Sequence, residues 1–161
     1  MVDFDFLILR RGRLEDEAFL LELYSSTRAE ELDSWGWDVQ QRSHFLKMQF
    51  EAQQRAYRSC FPDSDRQIVL WENCPIGSIL AVSNQEEIRL VDIALLPVHR
   101  NKGIGTLLIQ NLLTEAEETS KPVRLQVIKF NRAVRLYERL GFLKREDTGI
   151  YFVMEWVSPL H

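Results

Sequence analysis

Cysteine is scarce in this chain: Cys60 and Cys74 are the two among 161 residues. Their spacing matches neither a redox pair nor a zinc-ligand set, so both are expected as reduced thiols in a cytoplasmic protein with no metal. No apolar run approaches the roughly 20 residues a membrane-spanning helix needs. The opening MVDFDFLILRR sets Asp3 and Asp5 ahead of a short apolar stretch, which lacks both the basic start and the length of a signal peptide. Basic charge is not in excess either. Lys and Arg number 20 against 24 Asp and Glu, a net charge of −4. A general nucleic-acid binder carries the opposite sign, whereas a cationic partner is mildly favoured. Repeats, low-complexity tracts and linkers are missing as well. At 45% hydrophobic residues the chain can bury a core, so a single domain over 1–161 is expected.

What is present alternates in period. Residues 6–11 suit a first strand. Leu14 to Arg28 carries Leu14, Ala18, Leu21 and Tyr24 at helical spacing. Glu30–Asp38, with Trp35-Gly36-Trp37, breaks that pattern. Val39 to Tyr57 reads as a second helix with a stripe of Phe45, Met48, Ala52 and Ala56, ended by Phe61-Pro62-Asp63. Gln67–Trp71 and Ile76–Val82 read as a hairpin about Asn73-Cys74-Pro75. Glu87–Leu96 is a longer strand stopped by Pro97. Gly103–Glu118 is a helix with Ile104, Leu107, Leu108, Leu112 and Ala116 on one face. Val123–Ile128 is a strand, Arg132–Leu140 a helix closed by Gly141, and Phe142–Arg145 and Ile150–Val157 are final strands. The order predicts an α/β (α+β) chain, a mixed sheet with helices packed on it.

The strongest chemical signal is Arg100-Asn101-Lys102-Gly103-Ile104-Gly105, between a predicted strand and a predicted helix. Two glycines at the helix start let backbone N–H groups approach an anion closely, and the helix dipole favours negative charge there. No acidic residue occurs from Ile93 to Thr114. The same spacing also serves a plain tight βα turn. A P-loop is excluded, because the Gly-x-x-x-x-Gly-Lys-Ser/Thr pattern is absent. A dinucleotide fingerprint is excluded, because Leu108 stands where the third glycine belongs. Downstream, Asn131 is a good helix N-cap. Tyr137 follows on the same helix, where a half-buried packing role is the plainer reading from spacing alone.

Taken together, these segments resemble the GNAT superfamily of acetyltransferases. Arg100–Gly105 resembles its acetyl-CoA pyrophosphate loop, Asn131…Tyr137…Gly141-Phe142 its second cofactor motif, and Val91–Pro97 its splayed central strand. The resemblance covers residues 66–157 well and the amino-terminal part more loosely. It implies one GNAT-like domain with a central, mostly antiparallel sheet flanked by helices, and acetyl transfer from acetyl-CoA to an amine. By the same resemblance, Arg100, Asn101, Lys102, Gly103, Ile104, Gly105 and Thr106 hold the pyrophosphate. The backbone of Leu95 bonds the pantetheine arm, Asn131 lies near the sulfur, and Tyr137 protonates the leaving thiolate.

A phenol is protonated at neutral pH and can serve as that acid. The base is expected at Glu87, with Asp92 and water as alternatives; Glu87 also reads as a solvated charge beside Glu86. Acceptor residues are sought among Arg28, Glu30, Glu31, Trp35, Trp37, His44 and Phe45. Exposed last strands with Tyr151, Phe152 and Trp156 suggest a homodimer, by edge-to-edge pairing or by packing. Two rivals are an inactive acyl-CoA-binding module, disfavoured by Tyr137 and Asn131, and an acetylator of aminoacyl-tRNA, disfavoured by the net charge.

Overall fold

The computed structural model describes residues 4–62 and 64–159, with the backbone alone at Phe4. Asp3 and Asp63 therefore lie outside the described residues. The strands are β1 (Leu7–Arg11), β2 (Gln67–Trp71), β3 (Cys74–Ser83), β4 (Ile88–Leu95), β5 (Val123–Ile128), β6 (Leu143–Asp147) and β7 (Tyr151–Trp156). The helices are α1 (Glu17–Asp33), α2 (Val39–Cys60), α3 (Ile104–Thr119) and α4 (Ala133–Arg139). The strands are ordered β1-β2-β3-β4-β5-β7-β6 in a mixed, mostly antiparallel sheet. Contacts divide the chain into two compact units, residues up to Leu80 with Ile93–Arg100, and Ala81–Asp92 with Asn101 onward.

In the first unit, β1 pairs antiparallel with β2, from Leu7↔Trp71 to Arg11↔Gln67. Glu72 and Asn73, with φ of 50° and 65°, make the tight turn into β3. The turn thus ends one residue before Cys74, and Pro75 lies inside β3, accommodated by a register shift between Val69 and Leu70. Helix α1 outruns its expected end at Arg28 and stops at Asp33. Gly36 (φ 68°) turns the chain. Asp38 then caps α2: its Oδ1 accepts from the Gln41 N–H at 2.8 Å, while Gln41 accepts from the Asp38 N–H at 3.1 Å.

The stripe expected on α2 is corrected. Leu46 and Phe50 are its buried residues, Phe45 is half-buried, and Met48, Ala52 and Ala56 are exposed. Alanine and methionine fit either face, so the larger side chains set the helix's rotation.

In the second unit, α3 buries Ile104, Leu108, Ile109 and Ala116 and contacts β5. Strand β5 alternates Val123, Leu125 and Val127, buried, with Arg124, Gln126 and Ile128. Gly141 (φ 101°) closes α4 as expected, and the next N–H, of Phe142, donates to the Tyr137 carbonyl at 3.0 Å. Strands β4 and β5 run parallel but share register only at Ile88↔Val123 and Arg89↔Arg124.

Candidate active site

In the second unit, Asn101 and Gly103 take positive φ, 61° and 86°, as the loop enters α3. Gly103 is the N-cap, has no side chain to cap with, and occupies a conformation that glycine adopts without strain. The Leu107 N–H donates to the Gly103 carbonyl at 3.0 Å. The preceding amides, of Ile104, Gly105 and Thr106, have no intrahelical acceptor, as in any first turn. Asn101 and Lys102 are exposed beside them, and the first turn carries no acid. Helix α2, by contrast, closes its own start with Asp38. The α3 start therefore leaves its first amides without a side-chain cap.

Tyr137 lies on α4 and is 5% exposed, its ring 5.5 Å from Phe142 in an edge contact. Burial, and then the charge of Asp92, push its phenol well above the ordinary value of 10.0. The hydroxyl is thus held as O–H throughout the neutral range. Asn131 is exposed, and its Oδ1 accepts from the Ala133 N–H at 2.8 Å. Asn131 is not the N-cap its residue type suggested: Arg132 holds that position, α4 begins at Ala133, and Asn131 stands one residue before the cap.

Glu87 stands at the start of β4. Its carboxylate is 3.6 Å from Arg89 and 3.5 Å from Arg124, and Arg124 in turn bonds Glu155 at 2.7 Å. That bond lowers the Glu155 carboxyl. Alternation along β4 puts Arg89 on one face and buried Ile88 and Leu90, followed by Asp92, on the other. Glu87 belongs with Arg89. Five residues of extended strand, roughly 16 Å, separate it from Asp92, whose charge the Tyr137 hydroxyl feels.

In the first unit, Leu95 ends β4 and Arg100 follows a short 3-10 turn over Pro97–His99. The Arg100 Nε donates to the Leu95 carbonyl at 2.9 Å. Gly77 of β3 packs so tightly against Ala94 and Leu95 that a Cβ there would strike the Ala94 carbonyl oxygen. A glycine inside a strand pattern is the signal that could have flagged this approach.

The acceptor candidates gather at the α1–α2 turn. The rings of Trp35, Trp37 and Phe45 meet edge-on at 5.0–5.6 Å. Arg28 lies 5.5 Å from the Phe45 ring and pairs with Glu31 at 2.7 Å. His44 is exposed. A cleft of about 380 Å³ opens between α1 and α2, lined by residues that include Ser25, Val39 and Arg42. Among the described residues no group of His, Cys, Asp and Glu is placed to hold a metal, and no helix is long and apolar enough to cross a membrane.

The sequence profile described as the Acetyltransferase (GNAT) family matches residues 20–142. The chain belongs to this family. Solved structures repeat the GNAT fold. The PaiA N-acetyltransferase of Thermoplasma acidophilum, solved with coenzyme A, aligns at TM-score 0.71 and 18% identity, covering 94% of this chain and 99% of that one. Ard1 of Thermoplasma volcanium aligns at 0.61 and 17%, covering 94% and 97%. Arabidopsis thaliana Naa50, solved with the bisubstrate analogue CoA-Ac-MVNAL, aligns at 0.62 and 12%, covering 95% and 99%. No curated protein matches this GNAT chain in sequence.

Proposed function

We propose that this GNAT acetyltransferase moves an acetyl group from acetyl-CoA to a primary amine by direct attack, working as one domain. The amine is a small molecule, a protein N-terminus or a lysine. The observation that carries the reading is Tyr137, a buried phenol kept protonated at the family's acid position. The amine nitrogen attacks the thioester carbon, the C–N bond forms, the C–S bond breaks, and the phenol proton passes to sulfur. The amine's own proton leaves to a base, and solvent reprotonates Tyr137.

Support for the donor comes from the glycine-opened α3 start, where the amides of Asn101 to Thr106 would hold the pyrophosphate. The PaiA and Naa50 structures carry CoA or a CoA conjugate. By the resemblance, Leu95 would bond the pantetheine and Asn131 would stand near the sulfur.

The base must reach the attacking amine directly or through one water. Acid and base act on the two atoms bonded to the reacting carbon, the leaving sulfur and the attacking nitrogen, and Glu87 lies five strand residues from Asp92, whose charge reaches Tyr137. The reading therefore assigns proton removal to water near Asp92. The test is thiol release from acetyl-CoA against a panel of amines, polyamines, amino acids and peptides. Failure to consume donor with any of them, and to bind CoA, rejects the function.

A further inference from the structure

Arg100 immediately precedes the loop that would hold phosphate, and its side chain is engaged within the first unit. Its Nε donates to the Leu95 carbonyl at 2.9 Å. Its Nη2 reaches Ser26 Oγ on α1 at 3.5 Å. The Ser26 hydroxyl proton is directed at the Leu23 carbonyl, 2.7 Å away, so Ser26 meets the guanidinium with a lone pair. The group is half-buried.

The peptide it grips is held from β3 as well. The Leu96 N–H donates to the Ile76 carbonyl at 2.8 Å, and a Cβ on Gly77 would come within 2.6 Å of Leu95 Cδ2. Side-chain packing and a charge-assisted hydrogen bond thus fix the orientation of one peptide at the end of β4.

We propose that Arg100 is a positioning residue that sets the Leu95 peptide for the pantetheine arm of the donor and is not a phosphate ligand. The proposal rests on the acetyl-CoA reading above. Lysine cannot replace arginine in this role, because a point charge lacks the planar fork that serves a carbonyl and a hydroxyl together.

The experiment compares wild type, Arg100→Lys and Ser26→Ala with two donors, acetyl-CoA and S-acetylpantetheine, which has no pyrophosphate. Thiol release is followed, with melting temperature as a control for folding. Arg100→Lys is expected to lower kcat/KM by about tenfold, the size of one charge-assisted hydrogen bond, equally for both donors and mainly through donor KM. The two factors should agree within about twofold. Ser26→Ala should act in the same direction, more weakly, and add nothing to Arg100→Lys.

A loss confined to acetyl-CoA makes Arg100 a phosphate ligand and overturns the proposal, as does a lysine variant equal to wild type with both donors. CoA titration calorimetry gives a second readout that needs no turnover. The affinity lost in Arg100→Lys should be the same at low and high salt; a loss that fades with screening also overturns the proposal. Wild type that neither binds CoA nor consumes either donor overturns the acetyl-CoA reading itself, a separate result.

Discussion

Replacing Tyr137 by phenylalanine keeps the ring against Phe142 and removes only the hydroxyl. If the phenol is the acid, kcat falls by about 10²–10⁴-fold, the usual size of positioned acid catalysis. Donor affinity changes by less than about tenfold, because one neutral hydrogen bond is lost at most. Steady-state kinetics with matched CoA titrations separate this from a packing role, which predicts unchanged kcat and reduced stability. Because burial raises the phenol above 10.0, wild type should show no basic limb from Tyr137 loss up to that pH. Asp92→Asn removes one of the two causes and should bring such a limb lower.

The same pH–rate profiles decide the base. Glu87→Gln is expected to leave the neutral rate unchanged. A deficit at neutral pH that disappears when the amine is already deprotonated would return Glu87 to the mechanism. Sequence suggested Glu87 through its place before the strand. Alternation along the strand already sets Glu87 and Asp92 on opposite faces; what the sequence could not display is that the Glu87 carboxylate meets Arg89 and Arg124.

The elements are more legible in the sequence than the contacts between them. Gln67–Trp71 and Val123–Ile128 match their expected bounds because β-branched runs flanked by turns leave little choice. The overrun of α1 and the rotation of α2 were hidden, since Ala, Glu and Gln favour helix without specifying a face. At the α3 start, Gly103→Glu should abolish CoA binding in calorimetry. It puts bulk at a left-handed position and negative charge where phosphate is expected. Binding at wild-type affinity would move the phosphate site elsewhere.

The entry to α1 offers a stability test. Asp16, 6% exposed, takes two bonds from Arg10, at 2.7 and 2.8 Å, and the Arg13 N–H at 2.7 Å. Asp16→Asn should cost about 2 kcal/mol, below the value for a fully buried pair because Arg10 is partly exposed. The Arg10 bond holds the Asp16 carboxyl below 3.8. Its stabilisation is therefore present above that pH and lost as pH falls through the lowered value. Melting curves of the two proteins should converge only in acid, below about pH 4.

At the scale of the molecule, the alternation of helices and strands, with the glycine loop, was enough to point to the family. The strand order was not legible, because pairing partners distant in sequence leave no local periodicity. The last two strands were expected to offer edges, but β7 pairs with β5 on one side and β6 on the other, and Trp156 is 8% exposed. The outer strand is β6, Leu-Lys-Arg-Glu-Asp, with a register shift between Lys144 and Glu146. Charge and irregularity of that kind discourage edge pairing.

A homodimer would then use a face, and Ile128 and Tyr151, in register and 50% and 41% exposed, are its natural centre. We expect Tyr151→Arg to weaken such a dimer by about tenfold or more, as loss of an interface aromatic does. Light scattering that finds wild-type monomer at assay concentration rejects the homodimer.

The position of β7 also governs how the chain refolds. Strand β5 has a ladder edge that β7 covers, and β6, which lies between them in the chain, pairs with β7 and not with β5. Until β7 docks, the edge Val-Arg-Leu-Gln-Val-Ile stands unpaired. Loss to aggregation on dilution from denaturant should therefore follow the docking of β7, and Met154→Ala should lower the refolding yield more than Leu46→Ala in α2.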